Sequence, residues 1–161
     1  MERKSGKSLL KKRTATASGA KLTSNSNPAL AVKLSKALSA LAKDLPNPVD
    51  ESSDYFQPFI APLPSSSELS PETIKQALRV GASYRIDWSS ADGFFSNATD
   101  EDNWGDIALG FRLLERVMRA SLSEVSVAFA RREGLVRLRM WLFGRAEDGT
   151  LVGLRAMTTE T

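Results

Sequence analysis

The sequence DGFFSNATDEDNW, residues 92–104, separates an alternating apolar segment from a long amphipathic one. It combines two adjacent aromatic residues, Phe94 and Phe95, with several turn formers, an acidic run and Trp104. The segment is too polar for a core strand and too irregular for a helix, and therefore we expect a loop. Large aromatic residues in a polar loop either anchor it to the core or contact a partner. We assign the first role to the phenylalanine pair and the second to Trp104.

Hydrophobic periodicity predicts a regular element on each side of this loop. Before it, Tyr84, Ile86 and Trp88 alternate with polar residues, which indicates a strand with one buried face, and we expect Trp88 in the core. After it, apolar residues recur at helical spacing over about 106–121, and this range predicts the longest helix of the chain.

The C-terminal third predicts an antiparallel meander. Alternating apolar residues over about 125–129 and 136–143 flank the turn residues Glu133-Gly134. Asp148-Gly149 is a second hairpin signal, and about 150–158 supplies the return strand. Basic and aromatic residues on the second face of this sheet predict that a helix or stacked arginine stems cover it. Those residues are Arg137, Arg139, Trp141 and Arg155.

Two signals of a capping residue followed by proline predict helices in the N-terminal half. Asn27-Pro28 begins an amphipathic helix over about 28–43. Ser70-Pro71 begins a short helix over about 71–80, which we expect to end at a left-handed Gly81. The leucine stripe of the first helix is expected to lie in the core. It consists of Leu30, Leu34, Leu38 and Leu41.

The proline-rich segment between these helices predicts a short edge strand, because proline removes a hydrogen-bond donor that a central strand needs. We expect Phe59, Ile60 and Leu63 in this strand, and Glu51 and Asp54 in an exposed turn before it. No local residue pairs with these two carboxylates, and we interpret the turn as solvated rather than metal-binding. The segregation of helices and strands along the chain predicts an α+β fold with helices packed on a sheet.

Length and composition limit the classes of protein. With 161 residues and 42% hydrophobic content, the chain can bury one good core, which predicts a single domain. It has neither cysteine nor histidine, which excludes thiol nucleophiles, disulfides, zinc clusters and histidine acid-base pairs. No apolar run approaches the roughly 20 residues of a membrane span, and the N-terminus lacks the apolar stretch of a signal peptide. We therefore expect a soluble, cytoplasmic protein.

The net charge of +3 conceals an uneven distribution. Residues 1–26 contain seven Lys or Arg and one acid, whereas the rest of the chain contains 15 basic and 18 acidic residues. The N-terminal segment has too little apolar surface to offset its ordering entropy, so we expect residues 1–26 to be a disordered basic tail and 27–161 to be the folded domain. We favour a solubilising role for the tail over attraction to nucleic acid.

Several of these features together resemble the nuclease A inhibitor family, whose members bind sugar-non-specific, metal-dependent nucleases. The family has a phenylalanine pair, then Ser, Ala-Thr and Trp at the spacing found here, a long helix, a meander with an Asp-Gly turn, and a terminal Glu-Thr pair. The matching residues of the central segment are Phe94, Phe95, Ser96, Ala98, Thr99 and Trp104. The resemblance covers about 83–161 clearly and about 50–59 weakly. It implies a three-layer α-β-α sandwich with a central antiparallel sheet.

The resemblance also implies which residues contact a nuclease. In the family, an acidic residue of the first loop, the tryptophan of the central loop and the terminal threonine are the principal contacts. The last two correspond to Trp104 and Thr161, and Thr161 would approach the catalytic metal of the nuclease. The first-loop acid is Glu51 when Pro58-Phe59 is aligned, whereas alignment on Asp54-Tyr55 puts Ser52 at that position.

We therefore expect a non-enzymatic inhibitor, without cofactor or metal of its own, that binds and blocks the active site of a metal-dependent sugar-non-specific DNA/RNA nuclease. Acidic groups and an aromatic anchor suit a basic, metal-containing cleft. The expected partner-binding residues are Glu51, Asp54, Trp104, Glu160 and Thr161. Two alternatives remain: a binding module of this fold without nuclease inhibition, and a nucleic-acid-associated protein that uses the basic tail. Against the latter, we expect an acidic body without an interleaved basic and aromatic face.

Overall fold

The computed structural model describes residues 28–49 and 55–159. Within this part of the chain, five strands form one antiparallel sheet in the order β1-β5-β4-β3-β2, and five helices accompany it. The helices are α1 (Pro28–Ala42), α2 (Pro71–Ala77), α3 (Asp92–Ala98), α4 (Glu101–Trp104) and α5 (Ile107–Ser121). The strands are β1 (Gln57–Ala61), β2 (Arg85–Ser90), β3 (Ser123–Arg131), β4 (Arg137–Arg145) and β5 (Leu151–Thr159).

The sheet is the middle layer of a three-layer α-β-α arrangement. Successive strand residues point to opposite faces, and the buried side chains accordingly form two clusters. On one face, Met140 and Leu142 pack with residues of α1, α3 and α5, including Phe111. On the other face, Trp141 and Phe143 pack with Ile74 of α2. The expected α+β sandwich with a central antiparallel sheet is confirmed.

The short helix α2 begins with a complete capping box. The Ser70 hydroxyl accepts a hydrogen bond from the Thr73 amide at 3.1 Å, and the Thr73 hydroxyl accepts one from the Ser70 amide at 2.9 Å. The cap and Pro71 confirm the predicted start. The predicted left-handed stop at Gly81 is wrong, because the positive φ falls on Arg79, at 57°.

Helix α1 directs three of the four predicted leucines toward the core, and the prediction is wrong only for Leu30. Leu38 is fully buried, and Leu34 and Leu41 pack partly against the core, but Leu30 is 58% exposed. Small residues, Ala31 and Ala42 among them, occupy the buried face instead and allow the helix to lie close to α5. The expected cap at Asn27 and the basic tail lie outside the described residues.

The segment 92–104 is helical, and the prediction of a loop is wrong. Helices α3 and α4 occupy almost all of it. Glycine, serine and asparagine have low helix propensity, but burial of Phe94 and Phe95 against α5 outweighs that weak preference. Their rings meet edge to face at a centroid distance of 5.2 Å, and Phe94 meets Phe111 at 6.1 Å. The anchoring role of the phenylalanine pair is confirmed.

The strand predictions are confirmed in position, with two corrections. The meander β3-β4-β5 and the edge position of β1 are as expected, but Leu63 lies beyond the end of β1. Trp88 is only partly buried, packing against the α2 side of the sheet. Its indole nitrogen is buried and has no hydrogen-bond partner in the described part of the chain.

Asp87 on β2 pairs with two arginines, one on the same strand and one on the neighbouring strand β3. Arg85 donates to its two carboxylate oxygens at 2.9 and 3.1 Å, and the Arg131 guanidinium contacts it from β3. The hydrogen bond from Arg85 lowers the pKa of the Asp87 carboxyl; partial burial opposes this change, and Arg131 reinforces it. The ionised carboxylate is therefore the form that stabilises the fold.

We expect Asp87→Asn to lower the free energy of unfolding by about 0.5–1 kcal/mol at pH 7, the usual size for a solvent-exposed ion pair. Because the folded-state pKa is depressed, this stabilisation is complete above the ordinary aspartate pKa of about 4 and disappears as the pH falls through the depressed value. Urea denaturation of both proteins at pH 7 and at low pH measures it. Asp44→Asn, at an exposed position after α1, is the control, and an equal loss in that variant would contradict the assignment.

Candidate protein-binding site

Trp104 is the last residue of the single-turn helix α4. The residues directly before and after this helix cap its two ends. The Asp100 carboxylate accepts hydrogen bonds from the Asp102 amide at 3.0 Å and from the Asn103 side chain at 2.9 Å. Gly105 follows with φ of 56°, a left-handed conformation that ends the helix directly after Trp104. The position of the tryptophan is therefore set by turns on both of its sides.

Two arginines of α5 hold the preceding short helices in place. Arg112 forms an ion pair with Glu101 at 2.6 Å and donates to the Thr99 carbonyl at 3.2 Å. Arg119 forms an ion pair with Asp92 at 2.8 Å, at the start of α3. The segment that carries Trp104 is thus attached to a 15-residue helix at both ends.

A role in partner contact predicts an exposed Trp104 side chain, but this side chain is half-buried. Its indole nitrogen is buried and makes no hydrogen bond within the described residues. The accessible part of the ring is therefore carbon, and Trp104 offers a partner an apolar surface. A buried donor without a hydrogen-bond partner lowers the free energy of unfolding by about 1–3 kcal/mol.

Acidic residues lie on both sides of Trp104 in the sequence. Glu101, Asp102 and Asp106 are exposed, and Asp100 is half-buried. Arg112 forms an ion pair with Glu101, and the other three carboxylates leave residues 100–106 net anionic. We call these acidic residues the anionic rim of Trp104. Such a combination suits a partner with a basic surface that also has an apolar pocket.

Several contacts involve the described residues on either side of residues 50–54, which themselves lie outside the described part of the chain. Pro46 and Tyr55 form an isolated antiparallel bridge. The fully buried Asn47 donates from its side chain to the Met157 carbonyl of β5 at 3.2 Å and accepts from the Val49 amide at 3.0 Å. Residues 46–49 are therefore attached to the C-terminal part of β5.

A further hydrogen bond brings the central segment to the same place. The Asn97 side chain in α3 donates to the Pro48 carbonyl at 3.2 Å. Three parts of the chain that are distant in sequence thus meet: residues 46–49, the α3-α4 segment and the end of β5. Of the expected partner-binding residues, Trp104 is described, whereas Glu51, Asp54, Glu160 and Thr161 lie outside the described residues.

Sequence reasoning missed the residues that join these segments. Asn47 and Asn97 had only a turn-forming preference, and Arg112 looked like part of the solvated face of α5. Nothing in the local pattern indicates that an asparagine side chain will donate to a carbonyl of another segment. Within residues 28–49 and 55–159, no cluster of acidic residues could hold a metal ion. Nor is any helix of that part long and apolar enough to cross a membrane.

Comparison with known protein families gives one match. The family model described as nuclease A inhibitor-like protein matches residues 32–161. The match begins in α1 and includes every other element of the fold. No curated protein matches the chain.

Proposed function

The chain belongs to the nuclease A inhibitor-like family, and we propose that it binds and blocks the active site of a metal-dependent, sugar-non-specific nuclease. The observation that carries this proposal is the meeting of residues 46–49, the α3-α4 segment and the end of β5 through Asn47 and Asn97. An inhibitor of this kind needs its contact residues on one surface. These hydrogen bonds support such an arrangement, because they join described residues that are near Trp104, Glu51 and Thr161 in the sequence.

Charge and chemistry support the same proposal. A nuclease that holds phosphodiesters presents a basic cleft with a metal ion, and the anionic rim of Trp104 is complementary to it. The half-buried indole is then the apolar anchor, a common role for tryptophan at the centre of interfaces. Long-range attraction between the two surfaces would also speed association at low ionic strength.

The first loop and the C-terminal residues complete the proposed set of contacts with the nuclease. We assign Glu51, or Ser52 in the alternative alignment, and Asp54 to contacts with basic groups of the nuclease. Glu160 and Thr161 directly follow β5 and supply oxygen atoms toward the catalytic metal. The protein acts as a binding partner in this proposal, and no catalytic step is assigned to it.

Titration of the purified chain into a magnesium-dependent nuclease A-type enzyme tests the proposal. Cleavage of plasmid DNA and of RNA should both stop near one equivalent of added protein. Unchanged cleavage together with co-elution of the two proteins would favour the binding module without inhibition. An endpoint that scales with the amount of nucleic acid, and not with the amount of nuclease, would indicate that the chain shields the substrate, which contradicts the proposal.

Removing residues 1–26 is expected to leave both the melting temperature and the inhibition constant unchanged. The segment contains almost no apolar surface, and its positive charge is the wrong sign for a basic cleft. Thermal melts and inhibition assays of the shortened and full chains measure this. A fall of several degrees, or a large loss of inhibition, would show that the tail belongs to the folded or binding unit.

A further inference from the structure

A cleft of about 650 Å³ lies on the sheet face that α2 only partly covers. It runs beside Leu78, at the C-terminal end of α2, and across β1, β5 and β4. The strand register places the side chains of Arg139, Trp141, Arg155 and Met157 on this face. A cleft of this volume is in the usual range for small ligands, about 300–1,000 Å³.

Two arginines, Arg139 and Arg155, are near neighbours in the cleft. Trp141 is paired with Arg155 and Arg139 with Met157, so the two arginines are diagonal neighbours on adjacent strands, within reach of each other. Within the described part of the chain, neither guanidinium makes a hydrogen bond or ion pair, and no carboxylate lines the cleft. Two neighbouring positive charges without a counter-charge favour an anion between them.

Aromatic rings accompany these charges. The Arg139 guanidinium lies 5.4 Å from the ring centre of Trp141 and 5.2 Å from that of Tyr84. The other side of the cleft contains Tyr55, which is 61% exposed. Stacking on aromatic rings holds Arg139 in place, whereas Tyr55 has a free ring surface on which a planar group can stack.

We propose that this cleft binds a nucleotide, through its phosphate at Arg139 and Arg155 and through its base at Tyr55. Guanidinium groups bind phosphate with paired hydrogen bonds, and bases stack on aromatic side chains and arginine planes. The expectation of a body without an interleaved basic and aromatic face does not hold on this face of the sheet, where the Arg139 guanidinium lies beside the rings of Tyr84 and Trp141. The mildly acidic total for residues 27–161 concealed a local basic region.

The nucleotide has two sources with the same chemistry, a free mononucleotide or the end of a single strand. Binding is measured in the absence of any nuclease, so its outcome is independent of the proposed inhibition. Calorimetric titrations of the full chain at low salt use thymidine 5′-monophosphate, thymidine, inorganic phosphate and a 5′-phosphorylated hexathymidylate. We expect the monophosphate to bind at least about tenfold more tightly than thymidine or phosphate. Of these three ligands, only the monophosphate contacts both the arginines and Tyr55.

Variants assign the binding to the cleft. Arg155→Glu and Arg139→Glu should each weaken binding of the monophosphate about tenfold or more, as expected when a charge-assisted hydrogen bond to phosphate is lost. Arg116→Glu, an exposed arginine on α5 at the opposite face, is the matched control and should bind normally. Tyr55→Ala should weaken binding of the monophosphate but leave binding of inorganic phosphate unchanged.

The outcomes separate cleanly. If Arg139→Glu fails to fold in a thermal melt, the exposed Arg155→Gln provides the same test with less disturbance. Hexathymidylate affinity equal to that of the monophosphate indicates a free nucleotide, whereas tighter binding that Arg155→Glu also weakens indicates a strand end. Wild-type affinity in both Arg155 variants, or an equal loss in Arg116→Glu, overturns the proposal.

Discussion

A chain extended by a few residues after Thr161 is expected to inhibit the nuclease on the order of 100-fold less tightly, with an unchanged melting temperature. This is the size of effect that follows when one principal contact of about 2–4 kcal/mol is lost. Strand β5 is fixed between β1 and β4 and runs to Thr159. We therefore expect the docking of the two residues that follow it to cost little entropy. Added residues would occupy the space that the catalytic metal and its waters need.

The same extension placed on the N-terminus is the matched control, and it should be harmless. A second variant, Thr161→Ser, keeps the hydroxyl and the carboxylate and should inhibit normally. Hard oxygen atoms suit a magnesium ion, which keeps several of its waters and is often approached through them. Equal inhibition constants for the two extended forms would mean that the end of the chain stays outside the active site of the nuclease.

Replacing Trp104 by alanine is expected to weaken nuclease binding by about 2–4 kcal/mol, as at other tryptophan hot spots. Because the ring is half-buried, the variant should also lose about 1–2 kcal/mol of stability. Trp104→Phe separates the two effects. It keeps an aromatic ring and removes the buried, unpaired N–H, so it should retain stability and most of the affinity.

Trp88→Ala is the matched control for this pair. Trp88 packs against the α2 side of the sheet. Its truncation should lower the free energy of unfolding by about 3 kcal/mol. The folded fraction of the variant should bind the nuclease normally. Thermal melts and inhibition constants of the three tryptophan variants provide both readouts. Greater destabilisation of Trp104→Ala than of Trp88→Ala would mean that the binding and packing roles have been exchanged.

The sequence predicts the elements that have a clear period. The helix start at Ser70-Pro71, the three C-terminal strands and the burial of Phe94 and Phe95 all follow from local patterns of capping, alternation and apolar content. The helices α3 and α4 do not, because their residues favour turns. Burial against α5 stabilises α3, and the Asp100 side chain caps the single turn of α4. Propensity is a weak guide wherever tertiary burial decides.

The arrangement of the candidate sites depends on contacts that no local pattern contains. Asn47 reaches β5, and Asn97 reaches Pro48, through single side-chain hydrogen bonds. Likewise, the alternation of β4 gives the face on which Arg139 lies, but only the pairing of β4 with β5 makes Arg155 its neighbour. Charge totals by segment cannot reveal such a local cluster.

The position of β5 has a consequence for the nascent chain. Although β5 is the last strand in chain order, it lies inside the sheet, between β1 and β4. During synthesis, β1 leaves the ribosome early and has no strand to pair with until β5 emerges, while β4 keeps an open edge. Such open edges invite pairing with other chains, and long-range pairing forms slowly. Chains whose translation stops before β5 should therefore be insoluble, because the sheet can close only after β5 has been synthesised.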